Sequence, residues 1–169
     1  MRILGIDPGL KLTGYGVIEW AGTEVPGRPP GLVDAGVIRL DPKASMAERL
    51  VELERALVEI FDEHKPEVCA VETLYAHYAH PRTAILMGHA RGVILLVAQR
   101  NRAVVKQFAA NRIKQSVTGH GHADKAQMQR AIQATWNLPA PPEPPDVADA
   151  LAIALCCGRA MEVEKLTRG

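Results

Sequence analysis

Four carboxylates in the sequence fall at places where a fold could gather them. The apolar run RILGI ends at Asp7, and the apolar run VCAV ends at Glu72. Asp146 and Asp149 stand three residues apart in PPDVADALAI, a spacing that puts both on one face of the first turn of a helix. Carboxylates gathered in one place would repel each other strongly unless a divalent cation balanced their charge.

The chemistry that such a cluster could perform is metal-dependent attack of water on a phosphodiester. Mg²⁺ and Mn²⁺ are hard cations that prefer oxygen ligands, so either ion suits a set made only of carboxylates. Two such ions about 4 Å apart recur in in-line hydrolysis, where one lowers the pKa of the water and the other stabilises the leaving 3′ oxygen. The sequence therefore predicts a cofactor of Mg²⁺ or Mn²⁺, with two ions in each active site.

Ordinary structural roles compete with this interpretation at two of the four positions. Asp7 is followed by Pro8 and Gly9, and Asp-Pro-Gly is turn chemistry. Asp146 could instead cap a helix, because helix N-termini favour acidic side chains. Asp149 is harder to explain in this way, since it lies among alanine, leucine and isoleucine residues.

Lysine and arginine are concentrated in one part of the chain. Residues 81–130 carry nine of them against a single acid, Asp124, whereas residues 48–72 carry eight acids against three basic residues. A block this basic would create a positive field over one face and could hold the phosphates of a nucleic acid. The alternative is a solvated surface whose charge neighbouring segments balance. The nine residues are Arg82, Arg91, Arg100, Arg102, Lys106, Arg112, Lys114, Lys125 and Arg130.

Length and composition narrow the class of protein. A chain of 169 residues suits one domain, residues 1–169, that buries a core without disulfide support. Cys69, Cys156 and Cys157 are odd in number and lack CxxC spacing, which argues against a disulfide framework or a zinc site and favours the reducing cytoplasm. No apolar stretch reaches the ~20 residues that span a bilayer, so we expect a cytoplasmic protein with no membrane partner.

The elements that must position the acids can be predicted from hydrophobic periodicity and turn residues. Short connections make the first three strands antiparallel neighbours, and a helix before the fourth strand makes that strand parallel to an earlier one. If the strands that end in Asp7 and Glu72 are adjacent, both side chains lie at one edge of the sheet. The pattern predicts an α+β layered fold, that is, an α/β protein with a mixed five-stranded sheet flanked by helices. The predicted strands are 2–7, 13–20, 31–39, 66–72 and 103–108, and the predicted helices are 46–64, 83–100, 123–136 and 146–164.

The helix at 83–100 is apolar nearly all round. Ile85 and Leu96 point away from the stripe formed by Leu86, Ala90 and Val97. A domain of this size rarely buries both sides of a helix by itself, so one side of this helix is expected to meet another subunit.

Six motifs in order give the chain a family resemblance. They are GIDPG, TGYGV, AVE in the fourth strand, GHARG in the long helix, VKQ followed by GHGHADK, and DVADALAIA in the last helix. Together they resemble the bacterial crossover junction endodeoxyribonuclease family, RuvC. The likeness extends from residue 2 to about residue 158.

The resemblance implies a ribonuclease H-like fold and an enzyme that resolves Holliday junctions in DNA recombination and repair. It implies a homodimer, joined through the helix at 83–98, that makes paired symmetric nicks in strands of like polarity and leaves 5′ phosphates. The metal-binding, catalytic acids carried over by position are Asp7, Glu72, Asp146 and Asp149. The implied partners are four-way junction DNA and the RuvA and RuvB branch-migration complex.

Further residues are expected to contact the DNA. The resemblance assigns the junction backbone to Lys114 and Lys125. Tyr75 takes the place of an aromatic residue that could stack on an unpaired base, although an ordinary half-buried tyrosine explains it equally well. His80 stands where an asparagine is common in the family, and with His77 it forms a polar loop. The arginines expected to bind DNA are Arg82, Arg91 and Arg112.

Three other classes of protein share part of these features. Sugar kinases and actin-like ATPases also open with a strand that ends in D-x-G, but they need two lobes and this chain has room for one. A related ribonuclease H-like nuclease could act on RNA instead of on DNA junctions. A module that recognises junction shape without cutting would have no need of four acids beside its DNA, and the acids therefore favour an enzyme.

Overall fold

The computed structural model describes residues 1–22, 29–74 and 81–168. It contains a five-stranded sheet with the strand order β3-β2-β1-β4-β5 and helices on both faces, which confirms the predicted fold class. The strands are β1 (Arg2–Asp7), β2 (Leu12–Glu19), β3 (Gly31–Arg39), β4 (Val68–Glu72) and β5 (Val104–Phe108). The helices are α1 (Met46–His64), α2 (Pro81–Arg100), α3 (Ala110–Thr118), α4 (Lys125–Trp136) and α5 (Pro145–Arg168).

The sheet is mixed, as the short and long connections predict. β1 pairs antiparallel with β2 and parallel with β4, and β5 extends the parallel part. The ladder between β1 and β4 runs from the pair of Ile3 and Val68 to the pair of Ile6 and Val71. The residues that end these two strands therefore leave the sheet side by side at one edge.

Two apolar cores lie on opposite faces of the sheet. One core joins the sheet to α1 and α2, and its buried residues include Leu4, Leu57 and Ile94. The other joins the sheet to α3, α4 and α5 and includes Ile132 and Leu151. None of the helices in the described ranges is long and apolar enough to cross a membrane.

α5 approaches the central strands closely because two strand positions lack a side chain. A Cβ added at Gly5 would lie 2.2 Å from the carbonyl oxygen of Ala150, and one at Gly14 would lie 2.1 Å from that of Asp146. Both distances are well inside van der Waals contact, so these positions accept only glycine in this packing. The close approach brings the first turn of α5 against the ends of β1 and β2.

α3 is the helix that the sequence analysis did not predict. Its N-cap residue, Ala109, makes no side-chain hydrogen bond, and the helix buries Ile113 over only nine residues. By contrast, capping boxes open α1 at Ser45 and α4 at Asp124. Without a capping signal or a long apolar stripe, packing against α5 determines this helix.

Candidate active site

The paired ends of β1 and β4 carry Asp7 and Glu72. Side chains alternate between the two faces along a strand, and Ile3 and Ala70 lie in the core beneath α5. Asp7 lies on the same face of β1 as Ile3, and Glu72 lies on the same face of β4 as Ala70. Both carboxyl groups therefore face the α5 side of the sheet. Each is partly buried where the strand ends.

The turn after Asp7 is held by hydrogen bonds of its own. The Thr13 hydroxyl accepts a bond from the N–H of Gly9 at 3.3 Å and donates one to the Gly9 carbonyl at 3.2 Å. Arg49 reaches from α1 and donates from Nη1 to the carbonyl of Leu10 at 2.8 Å. Asp-Pro-Gly is thus turn chemistry, as the alternative interpretation states, and the turn fixes the direction in which the carboxylate points.

Asp146 and Asp149 approach the same edge from the first turn of α5. Ala148 and Ala150 beside them are fully buried, whereas both acids are partly exposed. Gly14 carries no side chain where it faces the Asp146 carbonyl, so the helix start lies directly on the sheet. All four predicted acids therefore meet around one end of the central strands.

The electrostatics of Asp7 reflect the proximity of these acids. The pKa of Asp7 is raised from 3.8 to about 7. Burial is the main cause, and the negative charge of Asp149 is the next. Glu72 and Asp146 raise the pKa further, and the ammonium group of Lys125 opposes them. Placing a fourth negative charge in this cluster is therefore costly.

Two other acids of the cluster respond in the same direction. Burial and the charge of Asp149 raise the pKa of Glu72, while Lys114 and Arg91 lower it. The pKa of Asp149 is raised chiefly by burial and then by Asp146, against Lys125 and Lys114. The two lysines are therefore close enough to the carboxylates to offset part of their charge.

A cavity of about 260 Å³ connects the acids with the lysines. Its lining includes the acids Glu72 and Asp149 and the lysines Lys114 and Lys125. Lys114 projects from α3 and Lys125 opens α4, directly after the cap residue Asp124. The rest of its lining is apolar and consists of Ala110, Ile113, Met128 and Ile153.

The donor set suits a hard divalent cation. Its oxygens are carboxylate oxygens, and a cation would offset the burial and the neighbouring acids that together raise the pKa of Asp7. In the described ranges, no three His, Cys, Asp or Glu side chains already stand in a metal-coordinating arrangement. The fold thus brings the four acids together, but their carboxylate groups do not surround a single metal position.

The predicted DNA-binding arginines have different surroundings. Arg82 is exposed on the first turn of α2. Arg112 is exposed on α3, with its guanidinium 5.2 Å from the centre of the Phe108 ring. Arg91 is half-buried and donates hydrogen bonds to the Glu72 carbonyl and, at 2.6 Å, to Oε1 of Gln107. Tyr75, His77 and His80 lie outside the described residues.

Sequence reasoning did not find the contacts of Arg91 and Gln107 with the site. The basic neighbourhood of Arg91 predicts a DNA contact, and the VKQ motif gives no partner for Gln107 on the edge strand. The GHARG motif marks the arginine. What it binds depends on how α2 lies across the strand ends, which periodicity alone does not give.

Fold and site together define a class of protein. A mixed five-stranded sheet that gathers carboxylates at the ends of its central strands, with lysines beside them, is typical of nucleases of the ribonuclease H-like fold. The family model for Crossover junction endodeoxyribonuclease RuvC matches residues 3–157. The chain belongs to this family, which confirms the resemblance seen in its motifs.

Relatives match over most of their length. A RuvC from Rhodopirellula baltica is 47% identical over 154 residues, which cover 91% of this chain and 84% of that protein. The structure of Thermus thermophilus RuvC is 28% identical, with a TM-score of 0.84 over 96% of both chains. The structure of T. thermophilus RuvC in complex with Holliday junction substrate has a TM-score of 0.83 at 28% identity and covers 97% of this chain and 96% of that one.

Proposed function

We propose that this protein resolves four-way DNA junctions by two symmetric nicks in strands of like polarity, each leaving a 5′ phosphate. The observation that carries the proposal is the cluster of four carboxylates beside Lys114 and Lys125. Membership of the RuvC family and the junction bound by the Thermus thermophilus relative support DNA junctions as the substrate. A phosphodiester in the cavity would meet both carboxylates and ammonium groups.

Asp7, Glu72, Asp146 and Asp149 would hold the cofactor, for which we propose two Mg²⁺ or Mn²⁺ ions. When bound, the ions supply an activated water and stabilise charge on the leaving oxygen. Strand pairing and the packing of α5 fix the backbones of these acids, so the carboxylate groups would close around the ions by side-chain movement.

Lys114 and Lys125 would bind the junction backbone next to the scissile phosphate. Lys114 lowers the pKa values of Glu72 and Asp149, Lys125 lowers those of Asp7 and Asp149, and both lysines line the same cavity. Ammonium groups so placed neutralise phosphate charge and favour ionised carboxylates. Arg82 and Arg112, both exposed, would extend this contact along the DNA.

α2 would join two copies of the chain. Its buried side faces α1 and the sheet through Ala90, Ile94 and Val97. On the other side, Ile85 is 61% exposed and Leu96 is 48% exposed. A Cβ at Gly92, between them, would meet no atom within 4 Å. An apolar, low-profile helix face of this kind fits a second copy, and a two-fold dimer matches the two-fold symmetry of a four-way junction.

The wider setting follows from the substrate. RuvA and RuvB, which drive branch migration, are the proposed partners at the junction. Because recombining DNA is the substrate, we propose the cytoplasm as the place of action.

The test is cleavage of a synthetic mobile four-way junction with Mg²⁺, with Mn²⁺ and with EDTA. We expect paired nicks with either ion, none in EDTA, and none with Glu72→Gln. Matched RNA hairpins and linear duplexes serve as competing substrates in the same assay. Preferential cleavage of the hairpin would replace the proposal with an RNA nuclease, and hydrolysis of ATP without junction cleavage would favour a kinase-like activity.

A further inference from the structure

The main-chain carbonyl of Glu72 has no N–H donor within the sheet, because the residue that would supply it is Pro8. The N–H of Thr73 donates to the carbonyl of Phe108 on β5 at 2.8 Å. The C=O and N–H of one trans peptide point in opposite directions, so the Glu72 carbonyl points toward β1. Continuing the parallel ladder of β1 and β4 by one residue would place the N–H of residue 8 opposite this carbonyl. Residue 8 is Pro8, which has no N–H.

Arg91 supplies the missing donor from the other face of the sheet. Its Nη1 donates to the Glu72 carbonyl, and its Nη2 donates to Oε1 of Gln107 at 2.6 Å. Gln107 lies on β5 and pairs with Val71 of β4 in the ladder. The guanidinium thus ties together the ends of the two parallel strands, while the Glu72 carboxyl group projects toward α5.

We propose that Arg91, fixed by Gln107, is a positioning residue that sets the Glu72 carboxylate for cation binding. The inference rests on the proposed function, because it takes Glu72 as a metal ligand. A strand end whose carbonyl has no donor would shift to find one, and the carboxylate on that residue would move with it. Removing an outer partner of a metal ligand commonly weakens metal affinity about 10–100-fold.

This role differs from the phosphate contact expected of a residue in the basic block. Both Nη atoms of Arg91 are engaged by acceptors of the protein. Positioning needs only these two bonds, whereas a phosphate contact would use the remaining N–H donors of the guanidinium. The two roles therefore predict different measurements, namely metal affinity for positioning, and DNA affinity with its salt dependence for a phosphate contact.

The sharpest variant is Gln107→Leu, because Gln107 is exposed and its side chain can be changed without disturbing a core. Mn²⁺ binding is measured by calorimetry on the DNA-free protein, junction affinity in EDTA, and cleavage as a function of Mg²⁺ concentration. We expect Gln107→Leu to bind Mn²⁺ about tenfold more weakly and to need about tenfold more Mg²⁺ for half-maximal cleavage. Its rate at saturating Mg²⁺ and its junction affinity should stay within about twofold of wild type.

Two more variants and one control complete the series. Gln107→Glu keeps an acceptor for Arg91 and should behave like wild type, whereas Arg91→Lys loses one of the two bonds and should resemble Gln107→Leu. Arg100→Met is the control, since Arg100 lies on the same helix and pairs with Glu54 at 2.9 Å, away from the strand ends. It should leave Mn²⁺ binding unchanged.

Unchanged Mn²⁺ affinity in Gln107→Leu and Arg91→Lys would overturn the inference. So would weaker junction binding with a shallower salt dependence, which would make Arg91 a phosphate contact. Wild-type protein that binds no Mn²⁺ and cuts no junction would overturn the proposed function together with the inference. Wild-type protein that does both beside variants with normal Mn²⁺ binding would overturn the inference alone.

Discussion

At the scale of single residues, the carboxylates are held together against their own repulsion. Asp7 shows this most clearly, because burial and three neighbouring acids raise its pKa to about 7. A group that binds its proton more tightly in the folded protein than in the unfolded chain destabilises the fold as the pH rises through the interval between the two pKa values. Without a cation, the site therefore costs stability near neutral pH.

Asp7→Asn should stabilise the metal-free protein at high pH. The folded pKa of about 7 lies above the ordinary value of 3.8, so the free energy of unfolding of the wild type falls between about pH 4 and pH 7. Asparagine loses no proton, and the variant should be more stable by about 1–3 kcal/mol at pH 8 and nearly equal at pH 3.5. Urea unfolding in EDTA at both pH values measures this difference.

A surface carboxylate provides the control for this prediction. Asp62 is exposed and pairs with Lys65 at 2.9 Å. Asp62→Asn should show no gain in stability at pH 8. The same Asp7→Asn protein should fail to cut junctions in Mg²⁺ while binding them as tightly as wild type or more tightly. A variant that cuts at the normal rate would reduce Asp7 to its role in the turn.

Lys114→Ala and Lys125→Ala test the cationic half of the cavity. Each removes one phosphate contact, so junction affinity should fall and the slope of log affinity against log salt should become shallower by about 1. Filter binding or fluorescence anisotropy in EDTA over a range of salt concentrations measures both. Lys65→Ala, which removes an exposed lysine paired with Asp62, is the matched control. Equal slopes in all four proteins would contradict the role of the two lysines.

At this scale the sequence predicted those site residues whose side-chain chemistry and place in a strand or motif both point to a function. The acids of β1 and β4 could be predicted because two apolar strands that each end in a carboxylate bring both groups to one edge when the strands pair in parallel. Lys114 and Lys125 could be found through the family motifs. Arg91 shows the limit, since its charge suggested DNA while its partners, a main-chain carbonyl and Gln107, depend on the path of α2.

At the scale of elements, α5 decides whether the site exists, because it carries two of the four acids. Sequence patterns predicted this helix and the sheet, including the parallel pair that brings Asp7 beside Glu72. They did not predict α3, whose uncapped N-terminus at Ala109 and short apolar face give no local signal. The depth at which α5 docks was also not predictable, since a glycine in a strand has several possible explanations.

Gly14→Ala should separate α5 from the sheet. The added Cβ would lie 2.1 Å from the Asp146 carbonyl oxygen, so the helix start must move or the protein must lose stability. We expect a loss of about 1–3 kcal/mol in the free energy of unfolding. Cleavage should fall more steeply, because Asp146 and Asp149 move with the helix. Urea unfolding and junction cleavage of the same preparation measure the two effects.

Gly31→Ala is the matched substitution, because a Cβ there comes no closer than 3.4 Å to Glu19. It should change neither stability nor cleavage appreciably. If Gly14→Ala cuts junctions like wild type, the docking of α5 does not position its acids.

At the scale of the whole molecule, one chain provides one set of acids, whereas a junction is resolved by two cuts. The exposed apolar face of α2 offers the means to pair two sites, and it lies on the layer opposite α5. The proposed dimer contact and the proposed catalytic site thus lie on different faces of the sheet. A change on the exposed side of α2 should consequently affect the pairing of cuts and leave the chemistry of each cut intact.

Leu96→Glu should convert the protein to a monomer that nicks but does not resolve. Leu96 is 48% exposed, so a charge there leaves the core intact but is unfavourable in an apolar interface. Sedimentation should show half the wild-type mass, and a plasmid with an extruded cruciform should yield singly nicked circles in place of linear product. Leu166→Glu, at a position 76% exposed near the end of α5, is the control and should resolve the cruciform normally. Linear product from a Leu96→Glu monomer would show that the two cuts do not require contact through α2.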